Sequence, residues 1–160
     1  MKQILLFLVF ITGIACQLPS TKKPKRTITN TNDSLATGWY YVTDSTGWKR
    51  TLLKTSEEYH LDPQPILTAQ DIDRMEVVEG HNAPQPFYLL VMYFDADAAK
   101  TWKDATHRYI FRKLAFVIDN RLVHVATVQS GIDGGVAAIN SGTYTKEELE
   151  QFKFQIEAER

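Results

Sequence analysis

The sequence has a single cysteine in 160 residues. An intramolecular disulfide is therefore excluded, and so is a zinc site built on several cysteines. It has no excess of either charge: 18 Lys and Arg stand against 19 Asp and Glu, a net charge of −1. That balance gives no reason to expect a nucleic-acid partner. It has no apolar run of the roughly 20 residues that a membrane-crossing helix needs, which argues against a helical transmembrane protein. A disordered composition is also missing, because 44% of the residues are hydrophobic and 11% aromatic. A chain of this length suits one ordinary domain with a core of its own.

What apolar continuity there is lies at the start. Lys2 is the only charge in the first sixteen residues, Ile4 to Ile11 are uniformly apolar, and Gly13-Ile14-Ala15 lead into Cys16. These are the charged, apolar and small-residue regions of a secretory signal. With the cysteine at the cleavage point, the segment resembles a bacterial lipoprotein signal, although Gly13 stands where such motifs usually carry Leu. The resemblance implies that residues 1–15 are removed and that Cys16 is lipidated with diacylglycerol and acyl chains such as palmitate. The membrane is then the first expected partner, each buried CH₂ contributing about 0.8 kcal/mol. The expected location is the bacterial cell envelope, facing the periplasm. Gln17 supplies no acidic retention signal, which points to the outer membrane.

Residues 16–36 carry Cys16 and a polar stretch rich in Ser, Thr, Asn, Lys and Pro, a tether that cannot offset its ordering entropy by burial. Lys22, Lys23, Lys25 and Arg26 cluster within it and read as a solvated linker, with anionic head groups as the sharper alternative. From residue 37 to 160, 13 basic and 18 acidic side chains leave the body at −5. An acidic body on a basic tether argues further against nucleic acid.

The body reads as a single α+β domain. Gly38 to Val42 is aromatic and β-branched, and Trp48 to Lys54 is expected to pair back on it. Asp71 to Met75 suits a short helical turn and Met75 to Glu79 an extended segment. His81 to Pro86 reads as a loop. Phe87 to Phe94 is eight residues without a charge, the pattern of a strand buried on both faces. Asp95 is a good N-cap. Ala98, Trp102, Ala105 and Tyr109 recur at helical spacing, so an amphipathic helix is expected from Asp97 to about Phe111. Leu114 to Ile118 and Leu122 to Val128 form a hairpin about Asp119-Asn120, which tolerate positive φ. A flexible Gly131–Gly135 loop and a short strand from Val136 to Ile139 follow. Thr145 and Glu148 make a capping box for a last helix with Leu149, Phe152 and Ile156 on one face. This order predicts a mainly antiparallel sheet with two helices packed on one face.

From Phe87 to Ile156 the chain resembles the periplasmic P1 head subdomain of SecD. The residues that carry this are Phe94, Ala98-Ala99, Thr106, the run Arg112-Lys113-Leu114-Ala115-Phe116-Val117-Ile118-Asp119, Gly134-Gly135, Ile139, Gly142, Tyr144-Thr145 and Glu147-Glu148. Pro65 to Ile72 is similar to the segment that enters the head. Phe111 stands where the family usually has Gly. The resemblance implies the fold, and a head that contacts exported polypeptide; the motor of SecD needs transmembrane helices that this sequence lacks.

Residues with catalytic chemistry are sparse. His60, His81, His107 and His124 share no short ligand spacing, so no metal is expected. Asp71 with Asp73, and Asp95 with Asp97, read as helix caps rather than acid–base pairs. Gly131 to Gly135 lacks the Lys and Ser/Thr of a phosphate-binding loop. No catalytic residue and no cofactor is expected. Gly134 and Gly135, with Trp39 and Tyr41 of the aromatic cluster, are the candidate binding surface, although closing a core is the commoner use of such aromatics. The first functional expectation is a lipid-anchored, non-catalytic envelope module whose partner is exported polypeptide or an envelope protein. The alternative is an envelope hydrolase, which requires His124, Asp133 and another ionisable group to converge in a cleft near the Gly131–Gly135 loop.

Overall fold

The computed structural model describes residues 34–81, 87–140 and 143–160. Cys16, the tether up to residue 33 and most of the expected 81–86 loop lie outside the described residues. Nine strands and two helices follow one another: β1 Gly38–Thr43, β2 Trp48–Thr51, β3 Glu58–Leu61, β4 Leu67–Thr68, β5 Ile72–Gly80, β6 Phe87–Phe94, α1 Ala96–Arg108, β7 Lys113–Ile118, β8 Arg121–Thr127, β9 Val136–Asn140 and α2 Lys146–Ala158. A short 3₁₀ turn, Ala69–Asp71, joins β4 to β5. The fold is α+β with antiparallel sheets and two helices, as the patterning predicts, but the strands divide into two sheets rather than one.

The larger sheet runs β2-β3-β1-β7-β8, with β4 paired to the start of β1. Alternation along β1 and β7 serves two cores. Tyr40, Ala115 and Val117 point into an inner cluster with Leu35, Leu61 and Leu122. Trp39, Leu114, Phe116 and Ile118 point the other way, into the main core. Both faces of β7 are buried, which is why Leu114 to Ile118 reads as an unbroken apolar run. Leu53 N–H donates to the Leu122 carbonyl at 2.8 Å, so the sheet curls back until the end of β2 meets β8. The β7–β8 turn uses Asp119 and Asn120 at φ 45° and 62°, the left-handed pair that suits a twisted hairpin.

The smaller sheet runs β5-β6-β9. Both helices pack on it, α1 through β6 and α2 through β5 and β6, and the main core joins them to the Trp39 face of the larger sheet. Asp95 caps α1 by accepting from Ala98 N–H, and Thr145 with Glu148 forms the capping box of α2.

Several local expectations change. Trp48–Thr51 pairs with β3, not β1, because Leu61 of β3 inserts between them and is fully buried in the inner cluster. The helical turn expected at Asp71 to Met75 ends at Asp71, and Ile72 already pairs with Phe94. β6 is buried on one face only: Leu90, Met92 and Phe94 face the helices, while Tyr93 lies half-exposed under the Arg74 guanidinium at 3.7 Å. α1 stops at Arg108, since Tyr109 leaves helical geometry and Phe111 takes φ 64°. Leu35, within the expected tether, is 2% exposed, and its N–H donates to Asn120 Oδ1.

Candidate functional site

Trp39, Phe116 and His124 sit side by side on β1, β7 and β8. Trp39 is 3% exposed and meets Trp102 and Phe116 at 5.0 Å between ring centroids and His124 edge-on at 6.2 Å. It is thus a buried residue and not part of an exposed aromatic surface. Above it opens a groove of about 260 Å³. Trp39 and Trp102 contribute to its lining, β8 gives Ala126 and Thr127, the next loop gives Ser130 and Ile132, and β9 gives Ala137 and Ala138.

Two features of this groove are chemical. The first is that Trp39, a lining residue, has a buried Nε1 without a hydrogen-bond partner among the described residues. A buried N–H left unpaired costs about 1–3 kcal/mol. The second is backbone. β8 and β9 are each the last strand of their sheet, and both border the groove. Phe94 N–H donates to the Gly135 carbonyl, so the alternation of an antiparallel ladder turns the peptide groups of Val136 and Ala138 outward. Trp102 Nε1 takes the Val136 carbonyl at 3.0 Å. Val128 N–H donates to the Arg112 carbonyl, which by the same alternation turns Thr127 outward.

The 131–135 loop is hydrogen-bonded at both ends. Ile132 N–H donates to Thr106 Oγ1 at 2.9 Å, and Thr106 is fully buried. Gly135 takes φ 59°, and a Cβ there would lie 2.5 Å from Ala99 Cβ. A Cβ at Gly134 would only touch Val136 Cγ1 at 3.9 Å, and neither glycine lines the groove. Tyr41 stacks on Tyr109 at 4.3 Å, apart from the groove, and burial raises its pKa. Of the candidate surface Gly134, Gly135, Trp39 and Tyr41, therefore, only Trp39 lines the groove. Trp102 and Thr106 carry structural chemistry there that the sequence reading did not assign. Thr106 could have been noticed as a polar residue on the apolar stripe that continues Ala98, Trp102 and Ala105.

The groups a hydrolase would need have different partners. His124 is half-buried beside Trp39, and burial pushes it down to about 4. Asp133 is exposed and pairs with Lys103 Nζ at 2.8 Å and His107 Nε2 at 3.2 Å, which hold its carboxyl below the usual range. Neither His124 nor Asp133 lines the groove. Among the described residues no cluster of three or more His, Cys, Asp or Glu is placed to hold a metal, and no helix is long and apolar enough to cross a membrane.

No curated protein matches the sequence. Two solved structures are similar in fold. SecDF in its super-membrane-facing form is 19% identical with a TM-score of 0.59, over 74% of this chain and 18% of that one. A structure of SecDF, a membrane component that enhances protein export, is also 19% identical with a TM-score of 0.59, over 78% of this chain and 63% of that one. The chain thus spans 18% and 63% of these proteins' lengths, less than two thirds of either. The family model for the SecDF P1 head subdomain matches residues 45–159, across both sheets, both helices and every residue that lines the groove from Trp102 onward, and the chain belongs to that family.

Proposed function

We propose that this chain is a lipid-anchored accessory module of the cell envelope whose head domain holds unfolded segments of exported polypeptide. Cys16 is its membrane attachment, and the tether lets the domain reach outward on the periplasmic side. The carrying observation is the groove between β8 and β9, lined in part by Trp39 and Trp102, with outward peptide groups at Thr127 and Ala138. An extended backbone offers alternating donors and acceptors, the complement of an open strand edge. The apolar lining from Trp102, Ile132 and Ala137 tolerates varied side chains. Membership of the P1 head family supports the export context.

The test places a photo-crosslinker at Thr127 and, as control, at Glu150 on the exposed side of α2. The full chain is presented with one secretory protein in its unfolded and folded forms. Crosslinking from residue 127 to the unfolded form alone is expected. Equal yield from both positions, or from both forms, would refute the reading. In cells, Cys16→Ala is expected to release the protein from membranes, and unchanged fractionation would end the anchor proposal.

A further inference from the structure

The turn after α1 displays the most exposed large apolar side chain of the described residues. Phe111 is 77% exposed, with Ile110 beside it at 37%. Its φ of 64° lies in the left-handed region that side chains with a Cβ rarely adopt. The turn is nonetheless firmly held: Phe111 N–H donates to the Val128 carbonyl at 2.7 Å, and Arg112 N–H to the Tyr109 carbonyl at 2.9 Å. Glycine would occupy this position without strain, so neither burial nor backbone geometry explains a phenylalanine here.

The charged residues next to it in the chain are cations. Arg108, Arg112 and Lys113 are all exposed, and none forms an ion pair among the described residues. Arg112 and Lys113 lie over the rings of Tyr109 and Tyr59, at 5.3 and 5.0 Å from the centroids. The facing carboxylates are Glu57, held by the Tyr59 hydroxyl, and Asp62, beside Tyr41. Three cations thus flank Phe111 directly, on a body whose net charge is −5.

We propose that this turn is a contact point for an anionic lipid surface, with Phe111 and Ile110 entering the interface and Arg108, Arg112 and Lys113 meeting phosphate groups. Charge complementarity selects the occupant: the acidic body is repelled by such a surface, and this corner is drawn to it. A protruding pair of apolar side chains is much smaller than a stable protein interface requires, whereas a ring of cations around an apolar tip suits the head-group boundary. Val128 accepts the hydrogen bond of this turn and also lines the groove, so the contact would set the groove beside the membrane.

The full chain carrying Phe111→Trp tests this, with emission of the unsubstituted protein subtracted because Trp39, Trp48 and Trp102 are present in both. Vesicles of equal parts phosphatidylglycerol and phosphatidylcholine, with brominated acyl chains, should quench the introduced indole; pure phosphatidylcholine should not. The leader and Cys16 are the same in every variant and meet both kinds of vesicle, so position 111 is read from the differences between vesicles and between variants. Adding Arg112→Glu and Lys113→Glu should weaken the anionic quenching at least tenfold, given roughly fivefold per charge. No quenching by the anionic vesicles, equal quenching by neutral ones, or quenching that survives charge reversal would each overturn the proposal. None of these outcomes bears on polypeptide binding in the groove.

Discussion

Acidification from neutral pH to about pH 5 is expected to cost the fold roughly 2 kcal/mol through His124 alone. An unfolded histidine titrates near 6.5, whereas burial beside Trp39 and Phe116 pushes this imidazole down to about 4. A base whose folded pKa is depressed favours the fold only while it is neutral. Its contribution is therefore essentially complete above about pH 6.5, is lost as the pH falls through 4, and levels off only about one pH unit below that. At 1.36 kcal/mol per pKa unit, the loss is about 2 kcal/mol by pH 5 and about 3 kcal/mol by pH 4. Urea unfolding should register the first of these as a midpoint lower by about 1 M. The control is His124→Phe, which keeps an aromatic ring against Trp39 but cannot titrate. Carboxylates contribute equally to both proteins, so the variant should lose about 2 kcal/mol less over the same interval. Equal losses in the two proteins would show that His124 is not held neutral by burial, and the reasoning would fail.

Two further perturbations probe the loop beside the groove. Gly135→Ala combines a positive φ with a 2.5 Å approach to Ala99 Cβ. It should destabilise by about 2 kcal/mol or more, read from the thermal midpoint, and a neutral result would refute the strain argument. Thr106→Val keeps the shape but strips the acceptor from Ile132 N–H. A cost of about 1–3 kcal/mol is expected, with faster hydrogen exchange at Ile132; unchanged exchange would mean that another group anchors the loop.

Elements governed by neighbours in sequence were legible. The capping box at Thr145 and Glu148, the Asp95 cap and the Asp119-Asn120 turn each depend on a few adjacent residues. Helix periodicity placed Trp102 and Ala105 on the buried face of α1. Strand partners were less legible. An aromatic run followed by a turn reads as a hairpin, yet β3 intervenes because Leu61 completes an inner cluster assembled from five separate segments. β6 was overread for a related reason. Its outward Tyr93 is covered by Arg74 and Glu76, a cross-strand arrangement that no run of consecutive residues encodes.

The sequence alone determined the α+β character, the cap chemistry, the charge division between tether and body, and the family resemblance. These depend on residue type at short spacing, where backbone preference and periodicity dominate. Tertiary structure decided which side chains meet. It buried Trp39 and left its N–H unpaired, set Asp133 against Lys103 and away from His124, and aligned the ends of two sheets along one groove. Those outcomes follow from the packing of distant segments, so the lone cysteine, so informative in the sequence, shares its place with a groove that no local pattern announces.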